Sequence, residues 1–242
     1  MMARRAPEWL TQWEYAHRGL HGPGVPENSR AAAEAAIATG MGIECDIQMS
    51  RDNAPLVFHD WELDRLTAQR GKVALQPADA LCRIALLETA QTIWRLTDLL
   101  ALIAGKVPLL VEVKAQPHLS VAEPCIAIAK ALTGYPGPLA VMSFGLRVGE
   151  WFAKHAPDVI RGLVVTDTLD HGYQGAWRAP HALERAAPDF LASDVRDIPN
   201  ALTSLWRDTG RPLLTWTVRS PETREHGLAH ADALIAEGDG LA

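Results

Sequence analysis

The chain is short of several things, and each shortage narrows its function. Cysteine is scarce: Cys45, Cys82 and Cys125 are the only three in 242 residues, far apart and without a Cys-x-x-Cys pair. That argues against a disulfide framework or a zinc ribbon and leaves free thiols in a reducing compartment as the plain reading. Aromatic residues are 6%, but hydrophobic residues reach 48% and charged ones 21%, a globular rather than a disordered composition. Positive charge is not in excess. With 23 basic and 29 acidic residues the formal net charge is -6. Such a chain is a poor candidate for a non-specific nucleic-acid or anionic-membrane binder, although a few basic side chains in a pocket can still hold a phosphate. Long apolar runs are missing too. The most apolar stretch, residues 99–113, is broken by Gly105, Lys106 and Pro108, and the N-terminal stretch by Glu8, Thr11, Gln12 and Glu14. No secretory signal and no stable membrane insertion are expected, so a cytoplasmic protein is. The length suits one large domain, residues 1–242.

Short apolar runs alternate with longer helical patterns. Strands are expected at residues 15–17, 42–47, 109–113, 139–143, 162–166, 190–192, 213–218 and 233–236. Helices are expected at 29–39, 96–104, 122–132, 146–155, 181–187, 201–208 and 221–229, the first with Asn28 or Ser29 as its N-cap and Gly40 as its stop. Strands alternating with helices argue for a parallel sheet, and eight of them in about 250 residues for an α/β, (β/α)8 TIM barrel. A doubly wound sheet is the alternative, but no Gly-x-Gly-x-x-Gly or phosphate loop follows the first strand. One segment breaks the rhythm. Asp52-Asn53-Ala54-Pro55 is turn chemistry, so a short β-hairpin is expected after strand 2. Residues 61–88 are then too many for a simple loop and read as a small insertion over one face of the barrel.

Barrel enzymes carry their chemistry at the C-terminal ends of strands. There the sequence places His17-Arg18-Gly19, Glu44-Cys45-Asp46, His59-Asp60, Glu112-Val113-Lys114 and Trp216. Glu44 and Asp46, two apart on a strand, face the same side. Two carboxylates aimed into an apolar barrel need a neutralising partner, and a hard divalent cation would serve. A solvated strand edge is the other reading. Glu112 can complete an all-oxygen ligand set or pair internally with Lys114. His17 and His59 suit proton transfer. Arg18 and Lys114 suit a phosphate, one as a planar fork and the other as a point charge. The remaining histidines, His21, His118, His155, His171, His181, His226 and His230, are given no role. A divalent cation, a cationic clamp and two histidines together suit cleavage of a phosphodiester.

At these residues the sequence resembles the glycerophosphodiester phosphodiesterase family. The matching motifs run in order: His17-Arg18-Gly19, Pro26-Glu27-Asn28-Ser29, Glu44-Cys45-Asp46, Val57-Phe58-His59-Asp60, Leu63-Asp64-Arg65-Leu66-Thr67, Val111-Glu112-Val113-Lys114, Ser143-Phe144 and Trp216-Thr217-Val218. The resemblance implies a TIM barrel that hydrolyses glycerophosphodiesters, such as glycerophosphocholine or glycerophosphoethanolamine, to sn-glycerol 3-phosphate and an alcohol. It implies Mg²⁺ or Ca²⁺ on Glu44, Asp46 and Glu112, and His17 and His59 as general acid and base. Arg18 and Lys114 would bind the phosphate and Trp216 would pack on the glycerol. Glu27 and Asn28 would orient the site from behind these groups, Asn28 having helix capping as its other role.

Two departures from the family pattern stand out. The last strand ends in Ala236-Glu237-Gly238-Asp239 where the family has an aspartate before a proline-containing loop, so Glu237 is the stand-in. The insertion reads Gln69-Arg70-Gly71-Lys72 in place of a Gly-Lys-Gly stretch. Two other functions stay open. A lysophospholipase D-like enzyme would need an apolar groove, for which Leu81, Ile84, Leu86 and Leu87 are candidates. A non-catalytic glycerol-phosphate-binding barrel would need the cationic clamp but no histidine pair. Oligomeric state is not legible.

Overall fold

The computed structural model describes residues 6–87, 89–167, 178 and 181–242. Glu88, the expected end of the insertion, and His171 lie outside the described residues. Strands and helices alternate as a (β/α)8 barrel requires. The order is β1 (Tyr15–Ala16), α1 (Arg30–Thr39), β2 (Gly42–Met49), β3 (Pro55–Val57), α2 (Ala78–Leu81), β4 (Trp94–Arg95), α3 (Leu96–Ile103), β5 (Leu109–Val113) and α4 (Ala122–Leu132). There follow β6 (Leu139–Ser143), α5 (Leu146–His155), β7 (Ile160–Val165), α6 (Ala182–Ala186), β8 (Phe190–Asp194), α7 (Ala201–Asp208), β9 (Leu213–Val218), α8 (Pro221–His230) and β10 (Ala233–Ala236). All eight expected barrel strands are among them. The hairpin is β2–β3, and it draws β2 on to Met49 by antiparallel pairing of Ile47 with Val57 and Met49 with Pro55.

The chain divides into two compact units. One comprises Ala16–Lys114 and Ala122–Pro138. Its strands lie in the order β5-β2-β3-β4. β2 and β5 are parallel, with Asp46 opposite Glu112. β5 is buried throughout and β2 up to Gln48. Strands covered on both faces are normally continuous apolar runs, so the acidic residues in these two are conspicuous. The helices follow elementary rules. Ser29 caps α1 by accepting from the Ala32 N–H, and Gly40 ends it at φ 72°. The buried face of α3 is Leu96, Leu99, Leu100 and Ile103, spaced for one helical stripe.

The insertion has structure that its sequence does not announce. Leu63, Leu66, Val73, Ala78, Leu81, Leu86 and Ile93 join Leu56 and Phe58 of the hairpin segment in one buried cluster. α2 and β4 are too short to carry a readable period; α2 buries Ala78 and Leu81 in that cluster, and β4 forms by antiparallel pairing with β3. Leu81 and Leu86 are fully buried there, and Ile84 packs against it. Of the four candidates for an acyl groove only Leu87 is exposed, at 47%.

The other unit comprises the described residues up to Tyr15, with Ala115–Val121 and Leu139–Ala242. It holds β6 to β10 as a parallel sheet in sequence order. Leu163, Val165, Leu191, Leu213 and Trp206 pack on one another in its core, and the Trp206 indole N–H donates to Pro212 O at 2.8 Å. Among the described residues no helix is long and apolar enough to cross a membrane.

Candidate active site

Three carboxylates meet on β2 and β5. Glu44 and Asp46 point the same way by strand alternation, and parallel pairing sets Glu112 beside Asp46. One oxygen from each lies within 4.8 Å of the others. Glu44 and Asp46 are each 1% exposed and Glu112 8%, so the solvated-edge reading is excluded. An all-oxygen donor set suits a hard divalent cation. Glu44 Oε1 is buried without a hydrogen-bond partner, an oxygen such a cation would satisfy. Burial, and then Asp46 and Glu112, push the Glu44 carboxyl well above the usual range. The cluster therefore can hold a divalent metal ion, and its residues fit one.

Two cations lie among these acids. Lys114 Nζ is 2.7 Å from Asp46 Oδ1 and 2.6 Å from Glu112 Oε1. The loss of water on burial opposes its charge, but the two carboxylates outweigh that and raise the Lys114 ammonium above its ordinary value. Arg18 Nη1 donates to Glu27 Oε1 at 2.6 Å, and Arg18 Nε is 3.3 Å from Asp46 Oδ2. Asp46 is held well below the usual carboxylate range: burial acts upward, but Lys114, His59 and Arg18 prevail.

Backbone geometry after β1 delivers Arg18. Arg18 has φ 59° and Gly19 φ 77°, and the Arg18 N–H donates to Glu44 Oε2 at 3.1 Å. A Cβ on Gly19 would lie 2.9 Å from the Ala32 backbone, so only glycine fits against α1 there. Asn28 closes the same turn. Its N–H donates to Arg18 O at 2.8 Å, and its carbonyl accepts from the Trp94 indole at 2.8 Å. The Asn28 side chain bonds Asp46, while Ser29 is the helix cap.

The two histidines come from different elements. His17 follows β1, is 8% exposed and places Nε2 4.0 Å from Glu44 Oε2. His59 follows β3 and is part-exposed. Its carbonyl accepts from Gln48 Nε2 at 3.0 Å, and its Nδ1 is 2.6 Å from Asp60 Oδ1. Nδ1 facing a carboxylate carries the proton in the neutral ring, which leaves Nε2 for proton transfer.

The family model of the glycerophosphoryl diester phosphodiesterase family matches residues 17–237, with every group above inside the match. The chain belongs to that family. A curated relative named glycerophosphodiester phosphodiesterase, from Bacillus altitudinis, is 43% identical over 60 residues. That match spans 24% of this chain and 24% of the relative, about a quarter of its length. Solved structures share the fold. An Oleispira antarctica phosphodiesterase in complex with the product sn-glycerol-3-phosphate aligns at TM-score 0.79 and 22% identity, covering 93% of this chain and 92% of that one. A glycerophosphodiester phosphodiesterase from Thermotoga maritima aligns at TM-score 0.74 and 21% identity, over 92% of both chains. The fold is thus the (β/α)8 barrel the sequence implies.

The unit of Ala16–Lys114 and Ala122–Pro138 gathers His17, Arg18, Glu27, Asn28, Glu44, Asp46, His59, Glu112 and Lys114. Trp216 belongs to the other unit, on β9. Its indole N–H donates to Ala192 O at 3.1 Å, and its ring meets Phe144 edge-on at 5.5 Å. Glu237, after β10, accepts from Arg219 Nε at 2.6 Å. Two further site neighbours, Asp60 and Arg65, sit in motifs that the sequence displays without a role. Their signal is the charge next to His59 and the arginine flanked by Leu63 and Leu66, both buried.

Proposed function

We propose that this chain is a divalent-metal-dependent glycerophosphodiester phosphodiesterase. The observation that carries this reading is the set of three buried carboxylates, one with an orphaned oxygen, in the same unit as two histidines, an arginine and a lysine. Glu44, Asp46 and Glu112 would hold Mg²⁺ or Ca²⁺, which would supply Lewis-acid stabilisation of phosphate charge. Arg18 and Lys114 bind the phosphate. Lys114 pairs with Asp46 and Glu112, two of the three residues that would hold the cation, which sets its ammonium beside that site.

His17 and His59 divide the proton work. One removes the proton from the glycerol 2-hydroxyl as that oxygen bonds phosphorus, and the other protonates the departing alcohol. Water then opens the cyclic phosphate with the proton roles exchanged. The product is sn-glycerol 3-phosphate. Glu27 holds Arg18 and Asn28 holds Asp46, and the family resemblance assigns Trp216 to the glycerol. The chain works as one domain, residues 1–242, and its three free thiols support a cytoplasmic location. Leu81 and Leu86, committed to the insertion core, favour a water-soluble substrate over an acylated one.

The test couples purified protein to glycerol-3-phosphate dehydrogenase, with glycerophosphocholine and glycerophosphoethanolamine as substrates and Mg²⁺, Ca²⁺ or EDTA added. Metal-dependent release of glycerol 3-phosphate, abolished by EDTA, is expected. No release with either metal, in protein that binds glycerol 3-phosphate, would replace the enzyme reading with the binding one.

A further inference from the structure

Arg65 lies in the insertion and reaches two carboxylates with one guanidinium. Its Nε and Nη2 donate to Asp60 Oδ2 and Oδ1 at 2.7 and 2.9 Å. Its Nη1 and Nη2 donate to Glu27 Oε2 and Oε1 at 2.8 Å each. Beyond those carboxylates stand two of the groups given chemical work. Asp60 Oδ1 also meets His59 Nδ1 at 2.6 Å, and Glu27 Oε1 also accepts from Arg18 Nη1 at 2.6 Å. Charges of alternating sign therefore run from Arg18 through Glu27 and Arg65 to Asp60, whose other contact is the His59 ring.

We propose that Arg65 is a positioning residue that holds His59 and Arg18 in one frame through Asp60 and Glu27. This rests on the phosphodiesterase reading above. A planar fork suits the task, because four of its five N–H groups are used and two carboxylates are fixed edge-on at once. A lysine ammonium cannot bridge four oxygens in that way. The backbone behind Arg65 is anchored: Leu63 and Leu66 are buried in the insertion core, and the Leu63 N–H donates to Gly71 O at 2.9 Å. The insertion thus sets the angle of the His59 ring and the reach of Arg18. The Arg65 side chain is 48% exposed. A simple surface ion pair at that exposure would contribute little, so function and not stability is where its loss is read.

The experiment uses full-length Arg65→Ala and Arg65→Lys with the metal that supports the wild type. Arg65→Ala is expected to lower kcat about 10- to 100-fold, as a misaligned acid/base does. Arg65→Lys should recover little of this, and added guanidinium at millimolar levels should recover part of it in Arg65→Ala only. In an Asp60→Asn background, Arg65→Ala should add little to the loss of kcat. An unchanged kcat, or full additivity with Asp60→Asn, would overturn the proposal. One readout needs no substrate, so it separates this idea from the assigned reaction. Side-chain ¹⁵N shifts of His59, taken at a pH where the ring is neutral, should report one dominant tautomer in the wild type and a mixture in Arg65→Ala. Identical tautomer populations in both proteins would overturn it even if the enzyme reading stood.

Discussion

The amide of Asn28 grips Asp46 twice: its Nδ2 donates to Oδ2 at 2.9 Å, and its Oδ1 accepts from the Asp46 N–H at 3.2 Å. Asn28 does this from φ 56°, a conformation asparagine tolerates better than most residues. Asn28→Gly keeps the backbone free to adopt that angle and removes the grip alone. It should cost about 1–3 kcal/mol in a denaturant melt and weaken metal binding, read by calorimetric titration. A variant with wild-type metal affinity would show that Asp46 needs no such support.

His17→Ala separates enzyme from binder. Turnover should fall by about 10²-fold or more while glycerol 3-phosphate binding persists. Loss of both together would point to a binding role for His17 instead of proton transfer.

Metal should stabilise the folded chain. At a free concentration near 100 times Kd the gain is about 2.7 kcal/mol, and Tm should rise by several degrees. Glu112→Ala should flatten that rise and reduce activity in step. A full thermal response in the variant would remove Glu112 from the ligand set.

Glu27 gives a dependence on pH. Burial pushes its carboxyl up, but the hydrogen bonds and charges of Arg65 and Arg18 outweigh this and hold it below its ordinary value of 4.5. A depressed carboxylate stabilises the fold fully above that ordinary value and loses the contribution as pH falls toward its folded value. Glu27→Gln should therefore lower stability by about 2 kcal/mol near neutrality. The gap from wild type should stay constant between pH 8 and about 5 and narrow below 4.5. Melts across that range decide it, and a gap that widens in acid would contradict the sign.

Much of this was legible in the sequence because the period of a strand is two. Once 42–47 reads as a strand, Glu44 and Asp46 must share a face, and parallel packing with 109–113 brings Glu112 to them. The alternation of apolar runs and helical stripes likewise gave the barrel. Pairings that do not follow from strand register were not legible. Arg65 and Glu27 are 38 residues apart, and nothing local in either names the other. Lys114 carries a charge suited to phosphate, but its bond to Asp46 depends on a side chain crossing to the neighbouring strand. α2 and β4 were invisible because their causes, the cluster around Leu81 and Phe58 for α2 and pairing with β3 for β4, lie outside any pattern of their own.

The groups assigned to protons, cation and phosphate run from His17 to Lys114, fewer than half of the 242 residues. Strands β6 to β10 contribute none of them. That division has a bearing on descent. A lineage can rewrite the later half of the chain, where Trp216 and the unusual Glu237 ending lie, with these groups left in place. The inherited reaction need not be rebuilt each time.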